Sequence, residues 1–144
     1  MAKYYLADTC YWLGLITPDD QHHDTSLTIS QLIDEQQNML LVPWPCLYET
    51  LATRLTNNRE RLLHFESLIN RKSQVQFIDD ADYKIRAFEM VFEKAANEGF
   101  TTSLTDAVII EILTSRDFKI DGLISYNHRD FESFCKGLDI EYIR

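Results

Sequence analysis

Residues 4–9 read YYLADT, and the reading of this stretch decides the fold. Tyr4, Tyr5, Leu6 and Ala7 form a short apolar run, which suits a strand buried on both faces. Asp8 ends the run with no basic residue beside it. Burying a lone carboxylate is costly. Two readings stay open here: Asp8 starts an ordinary turn after the strand, or it is one wall of a site completed by residues far along the chain.

Further along, Met39–Val42, Val75–Ile78, Leu123–Ser125 and Ile140–Ile143 read as strands of the same kind. Between them lie helical stretches over Asp24–Gln37, Pro45–Thr56, Arg59–Arg71, Ala81–Asn97 and Leu104–Arg116. Pro45 suits a first helical turn. Gly99 suits the stop after Ala81–Asn97. Strands alternating with helices predict an α/β fold, a mostly parallel sheet of about five strands covered on both faces. Sites in such sheets form beyond the carboxyl ends of the strands, near a topological switch point. Asp8 stands at such an end.

The chain has 144 residues, 45% hydrophobic and 26% charged, as in a soluble globular protein. No repeat, low-complexity segment or linker interrupts it, so residues 1–144 read as a single domain. No apolar run approaches the roughly 18 residues of a membrane span, and no signal-peptide pattern opens the chain. The expected location is the cytoplasm, without membrane association. Cys10, Cys46 and Cys135 are too few and scattered for a disulfide framework, and no CxxC pair suggests zinc. The net charge of -9 argues against coating nucleic acid by charge alone. It leaves room for a metal-assisted enzyme, because bound divalent cations reverse the field of an acidic pocket. It also suits a basic protein partner.

Three further places can supply carboxylates to the Asp8 edge. Glu49 follows the second strand, on a helix whose Leu47, Leu51 and Leu55 are spaced to pack against the body. It lies about 200° around from Leu47, so a solvated glutamate is the plain reading. Asp106 follows Ser103 by three residues, as in a capping box, and the plain reading is a first-turn acid on a deeply packed helix. Asn127 and Asp130 leave the fourth strand, where turn and cap chemistry is the plain reading. Taken together, Asp8, Glu49, Asp106 and Asn127/Asp130 all fall at one edge of the predicted sheet. Converging carboxylates repel one another. Hard divalent cations relieve that repulsion, and oxygen ligands suit Mg²⁺ or Mn²⁺.

The stretches YYLADTCYWLGL, CLYETLATRL, SLTDAVIIEIL and GLISYNHRDF, in this order and over essentially the whole chain, resemble a PIN-domain endoribonuclease. Within that group the chain is similar to the toxin of a VapBC-type toxin–antitoxin pair. The resemblance implies a three-layer α/β/α sandwich. It implies that Asp8, Glu49 and Asp106 bind Mg²⁺ or Mn²⁺, with Asn127 or Asp130 as the fourth position. Thr9 and Ser125 would orient the carboxylates. The implied reaction is metal-assisted hydrolysis of RNA phosphodiester bonds. The implied partners are an RNA substrate, a cognate antitoxin whose basic tail enters the acidic pocket, and a second copy in a homodimer. The family's first motif usually runs Asp-Thr-Asn. Cys10 stands at its third position here, which predicts a lost amide hydrogen bond near Asp8.

Other features have plainer readings. His22, His23 and Asp24 read as a surface loop and helix N-cap. Arg54, Arg59, Arg61, Arg71 and Lys72 form a locally basic region. They read as helix-surface charge, with RNA-backbone contact by Arg54, Arg59 and Arg61 as the functional alternative. Tyr11 and Trp12 read as core or interface aromatics, with base stacking as the alternative. Phe88, Val91 and Phe92 read as core. Two other functions compete. One is a receiver-like phospho-acceptor domain, which Asp79 and Asp80 after Val75–Ile78 keep in view. The other is a catalytically degenerate PIN module that acts by protein binding, for which Cys10 and Asn127 speak.

Overall fold

Tyr4–Ala7 forms β1, the central strand, and Leu6 and Ala7 are fully buried. The computed structural model describes residues 1–52, 54–71 and 73–144, with Arg54 described by its backbone alone. On one side β1 pairs with β2 (Met39–Pro43), and β2 with β3 (Val75–Ile78). On the other it pairs with β4 (Gly122–Ile124), and β4 with β5 (Glu141–Ile143). Every pairing is parallel, in the order β3-β2-β1-β4-β5. The chain builds outward from β1 to β3, then crosses back to β4. The switch point therefore lies between β1 and β4, directly beyond Ala7. A receiver-like domain has the order 2-1-3-4-5 instead. Here Asp79 and Asp80 end an edge strand two places from β1, and Asp79 caps the Ala81 amide at 3.0 Å.

Helices α1 (Thr9–Ile16), α2 (His23–Glu35) and α4 (Arg59–Ile69) accompany the outward steps, and α1 packs against both others. Helices α5 (Lys84–Glu93) and α6 (Leu104–Ser115) pack together on the return crossover, and α7 (His128–Gly137) covers β5. Right-handed crossovers in opposite directions place these two groups on opposite faces. The result is the three-layer α/β/α sandwich with a parallel five-stranded sheet. No helix among the described residues is long and apolar enough to cross a membrane.

Several expectations need correction. A helix, α1, starts directly after Asp8. Its apolar residues surround it, so no polar stripe marks the helical period. α3 (Trp44–Thr50) stops early and gives way to a 3₁₀ turn over Arg54–Asn57. Leu47 and Leu55 are buried, but Leu51 becomes the helix cap and is 41% exposed. Tyr11 and Trp12 are core residues, each 1% exposed, which removes the base-stacking alternative for them. Phe88 and Phe92 are 54% and 60% exposed, and Val91 is half-buried. α5 carries two apolar stripes, and it turns the one containing fully buried Ala87 inward. A period alone does not say which stripe meets the sheet. Pro45 in the first turn of α3 and Gly99 at φ 74 behave as predicted.

Candidate functional site

Asp8 is the N-cap of α1 and is 5% exposed. Its Oδ1 accepts from the Thr9 amide at 2.7 Å, and its Oδ2 accepts from the Ser125 hydroxyl at 2.8 Å. The Asp8 amide donates to the Ile124 carbonyl at 3.0 Å, so β1 and β4 together aim the side chain. Two thiols complete its surroundings. Cys46 Sγ lies 3.9 Å from Oδ1, and Cys10 Sγ lies 3.7 Å from Oδ2. Cys10 thus stands where the resemblance predicts a lost amide hydrogen bond, and its sulfur also accepts from the Tyr126 amide at 3.3 Å. The expected loss is a replacement by a longer, softer contact. Burial raises the Asp8 carboxyl above the ordinary range; Ser125 and Thr9 pull it back, and the Glu49 charge raises it again.

Glu49 sits on α3 just past β2, and its Oε1 accepts from Thr9 Oγ1 at 2.9 Å. Its residue is exposed, as the plain reading has it, yet it faces the same cavity as Asp8. Asp106 lies in the first turn of α6, where its amide donates to the Ser103 hydroxyl at 3.1 Å. That is one half of the expected capping box. Its carboxyl is pushed up to about 7, first by burial and then by the charges of Asp8 and Asp130, with a smaller contribution from Glu49. The three acids line one cavity of about 440 Å³ with Thr9, Cys10 and Asn127. Among the described residues, no Lys or Arg lines it.

Asn127 caps the start of α7 and joins two acids. Its Nδ2 donates to Asp106 Oδ2 at 2.9 Å and to Asp130 Oδ2 at 2.8 Å, while its amide donates to Ser125 Oγ at 3.1 Å. Asp130 is buried at its side chain and pairs with Arg129 Nε at 3.1 Å. Burial would raise its carboxyl, but Arg129 and Asn127 outweigh that and hold it below the ordinary value. Asp130 therefore reaches the cavity through Asn127, and it does have a basic partner.

The basic candidates lie elsewhere. Arg59 and Arg61 are on α4, and Arg61 approaches Asp19 at 3.7 Å beside a separate cavity. The side chain of Arg54 and the whole of Lys72 lie outside the described residues. Asp20, His22 and Tyr126 line the acid cavity although sequence reasoning did not place them there. The His22-His23 doublet was the one visible signal, and it read as a surface loop.

Among the described residues, no three His, Cys, Asp or Glu side chains form a ready-made ligand set for one ion. The donor chemistry still fits a hard divalent cation. The acids offer oxygen ligands and raise one another's affinity for protons, and positive charge delivered to the cavity would relieve both effects.

No family model matches the sequence, and no curated protein matches it. Solved structures do. The Sarcin-Ricin loop cleaving toxin VapC20 of Mycobacterium tuberculosis superposes with a TM-score of 0.69 at 14% identity, over 90% of this chain and 94% of that one. The DNA-bound VapBC structure from Salmonella typhimurium gives 0.66 at 18% identity, over 99% and 97%. FitAcB from Neisseria gonorrhoeae gives 0.61 at 12% identity, over 97% and 96%. At such identities the likeness establishes the fold, which is the PIN-like fold that the resemblance implied.

Proposed function

We propose that this chain is a metal-dependent endoribonuclease, the toxin of a type II toxin–antitoxin pair. The observation that carries this reading is the convergence of Asp8, Glu49 and Asp106 on one cavity without a lining Lys or Arg, with Asp106 pushed up to about 7. The fold shared with a Sarcin-Ricin loop cleaving toxin supports it. Asp8, Glu49 and Asp106 would hold Mg²⁺ or Mn²⁺. When bound, such a cation polarises the phosphate and makes bound water a better nucleophile. The chain's own residues prepare for this. Ser125 and the Thr9 amide fix the Asp8 carboxylate, and Thr9 Oγ1 fixes Glu49. Asn127 bridges Asp106 to Asp130 and sets the far wall.

The partners follow the same chemistry. An acidic cavity in a chain of net charge -9 suits the basic segment of an antitoxin. The exposed Ile85, Phe88 and Phe92 stripe suits a second copy of the chain. The deciding experiment is incubation of the purified protein with RNA in Mg²⁺ or Mn²⁺, with chelator and with Asp8→Asn. Cleavage lost in both controls supports the enzyme. A folded wild-type protein that cuts no RNA in either metal points to the degenerate, partner-binding module.

A further inference from the structure

The His22-His23 doublet is anchored more firmly than a surface loop requires. At Gly14 of α1, an added Cβ would stand 2.7 Å from Ser26 Oγ and 3.3 Å from the His22 carbonyl. The absent side chain lets the start of α2 close on α1. His23 Nδ1 lies 2.8 Å from the Gly14 carbonyl, which only accepts, so Nδ1 carries the proton. The His22 amide donates to Asp20 Oδ1 at 2.8 Å. Fully buried Ser26 donates to the Tyr11 carbonyl at 3.1 Å, so Tyr126 donates its phenolic proton to Ser26 Oγ at 2.6 Å. These contacts hold the His22 and Tyr126 rings stacked, with centroids 4.2 Å apart and planes 22° apart.

The stacked pair belongs to the acid cavity. Both rings line it, and Gln21 is among the other lining residues. Tyr126 directly follows Ser125, the hydroxyl partner of Asp8. An RNA chain with its phosphate at the acids therefore has a neighbouring base within reach of these rings. No Lys or Arg lines the cavity among the described residues, so charge does not draw the RNA in. Base stacking needs no charge and is strong on His and Tyr rings.

We propose that His22, stacked on Tyr126, is the platform on which an unpaired nucleobase next to the scissile phosphate stacks. This rests on the endoribonuclease reading above. A near-parallel ring pair offers a flat face to a third ring, which favours a base over the flexible basic peptide of a protein partner.

The test uses the full chain and a single-stranded RNA oligonucleotide carrying 2-aminopurine, whose fluorescence falls when it stacks. Binding is titrated in Mn²⁺ before appreciable turnover, and KM and kcat for cleavage are measured in the same buffer. Wild type should quench the probe. His22→Ala and the ring-free His22→Gln should lose the quenching and bind about ten-fold more weakly. KM should rise by a similar factor with kcat nearly unchanged, as for an interaction equal in ground and transition states. His22→Phe should restore both, with thermal midpoints unchanged throughout. If His22→Ala and His22→Gln quench and cleave like wild type while Asp8→Asn is inactive, the platform is wrong and the nuclease stands. A His22→Phe defect as large as that of His22→Ala also overturns it. If His22→Ala weakens only an arginine-rich peptide, the surface belongs to a protein partner and the proposal fails. A wild-type protein that neither binds nor cuts RNA removes both readings.

Discussion

Ser125 Oγ donates to Asp8 Oδ2 at 2.8 Å, linking residues 117 positions apart across the β1–β4 switch point. Both residues are buried, Asp8 being 5% and Ser125 0% exposed. The bond therefore holds the buried acid in a single orientation. A hydrogen bond to a charged group contributes about 1.5–3 kcal/mol. Ser125→Ala should destabilise the fold by roughly that amount and slow RNA cleavage. Urea denaturation and a cleavage assay on the same sample check it; unchanged values in both refute the positioning role.

Asp8→Asn should remove RNA cleavage in Mg²⁺ and Mn²⁺ while leaving the circular-dichroism spectrum intact. The amide keeps the shape of the side chain but gives up a charged oxygen ligand. Cleavage by the variant at the wild-type rate in Mn²⁺ would sink the assignment.

Asp106 makes a pH prediction in metal-free buffer. Its folded-state carboxyl is pushed up to about 7, whereas an unfolded Asp titrates near about 3.9. Between these values the folded state holds a proton that the unfolded state lacks. Stability contributed by this group is therefore full at low pH and lost as pH rises to about 7. Asp106→Asn does not titrate, so its stability relative to wild type should increase from pH 4 to 7 and level off above. Denaturation series of both proteins in EDTA give the comparison. A difference that stays flat, or falls, across that window contradicts it.

Cys10 both receives the Tyr126 amide proton and approaches Asp8. Cys10→Ser preserves these roles with a shorter-reaching hydroxyl and should keep cleavage within a few-fold. Cys10→Ala leaves the Tyr126 amide without its partner, at a cost of about 1–3 kcal/mol. Equal thermal stability of the two variants would show that the thiol contacts carry no weight.

The α5 stripe gives an assembly prediction. Phe88→Glu with Phe92→Glu should convert a dimer to a monomer in sedimentation velocity. Each monomer should keep nearly its own stability, because exposed substitutions change it by only about 0.5 kcal/mol. A wild-type protein already monomeric at high concentration would remove the homodimer reading.

The acids that line the cavity were legible as an ordered set. Asp8 follows an apolar run, Asp106 opens a helix and Glu49 lies on the short helix after the second strand, and the ends of parallel strands gather on one edge whatever the fine packing. The partnerships were not legible. Asn127 reads as a turn residue until α7 starts beside it and its amide meets Asp106 and Asp130. Asp130 reads as a helix cap until Arg129 folds against it. His22 stands 104 positions before Tyr126 in the chain, and no local pattern announces their stacking.

What the sequence by itself determined is the alternation of strands and helices, hence the parallel sheet and the edge where carboxylates collect. Local period and length specify those elements through backbone conformation and burial. Only the tertiary structure decided the strand order, which stripe of α5 faces inward, and which loops meet at the cavity. Those outcomes depend on crossover direction and on contacts between distant segments. The run YYLAD can present Asp8 at a strand end, but β4 must lie beside β1 before Ser125 can reach it.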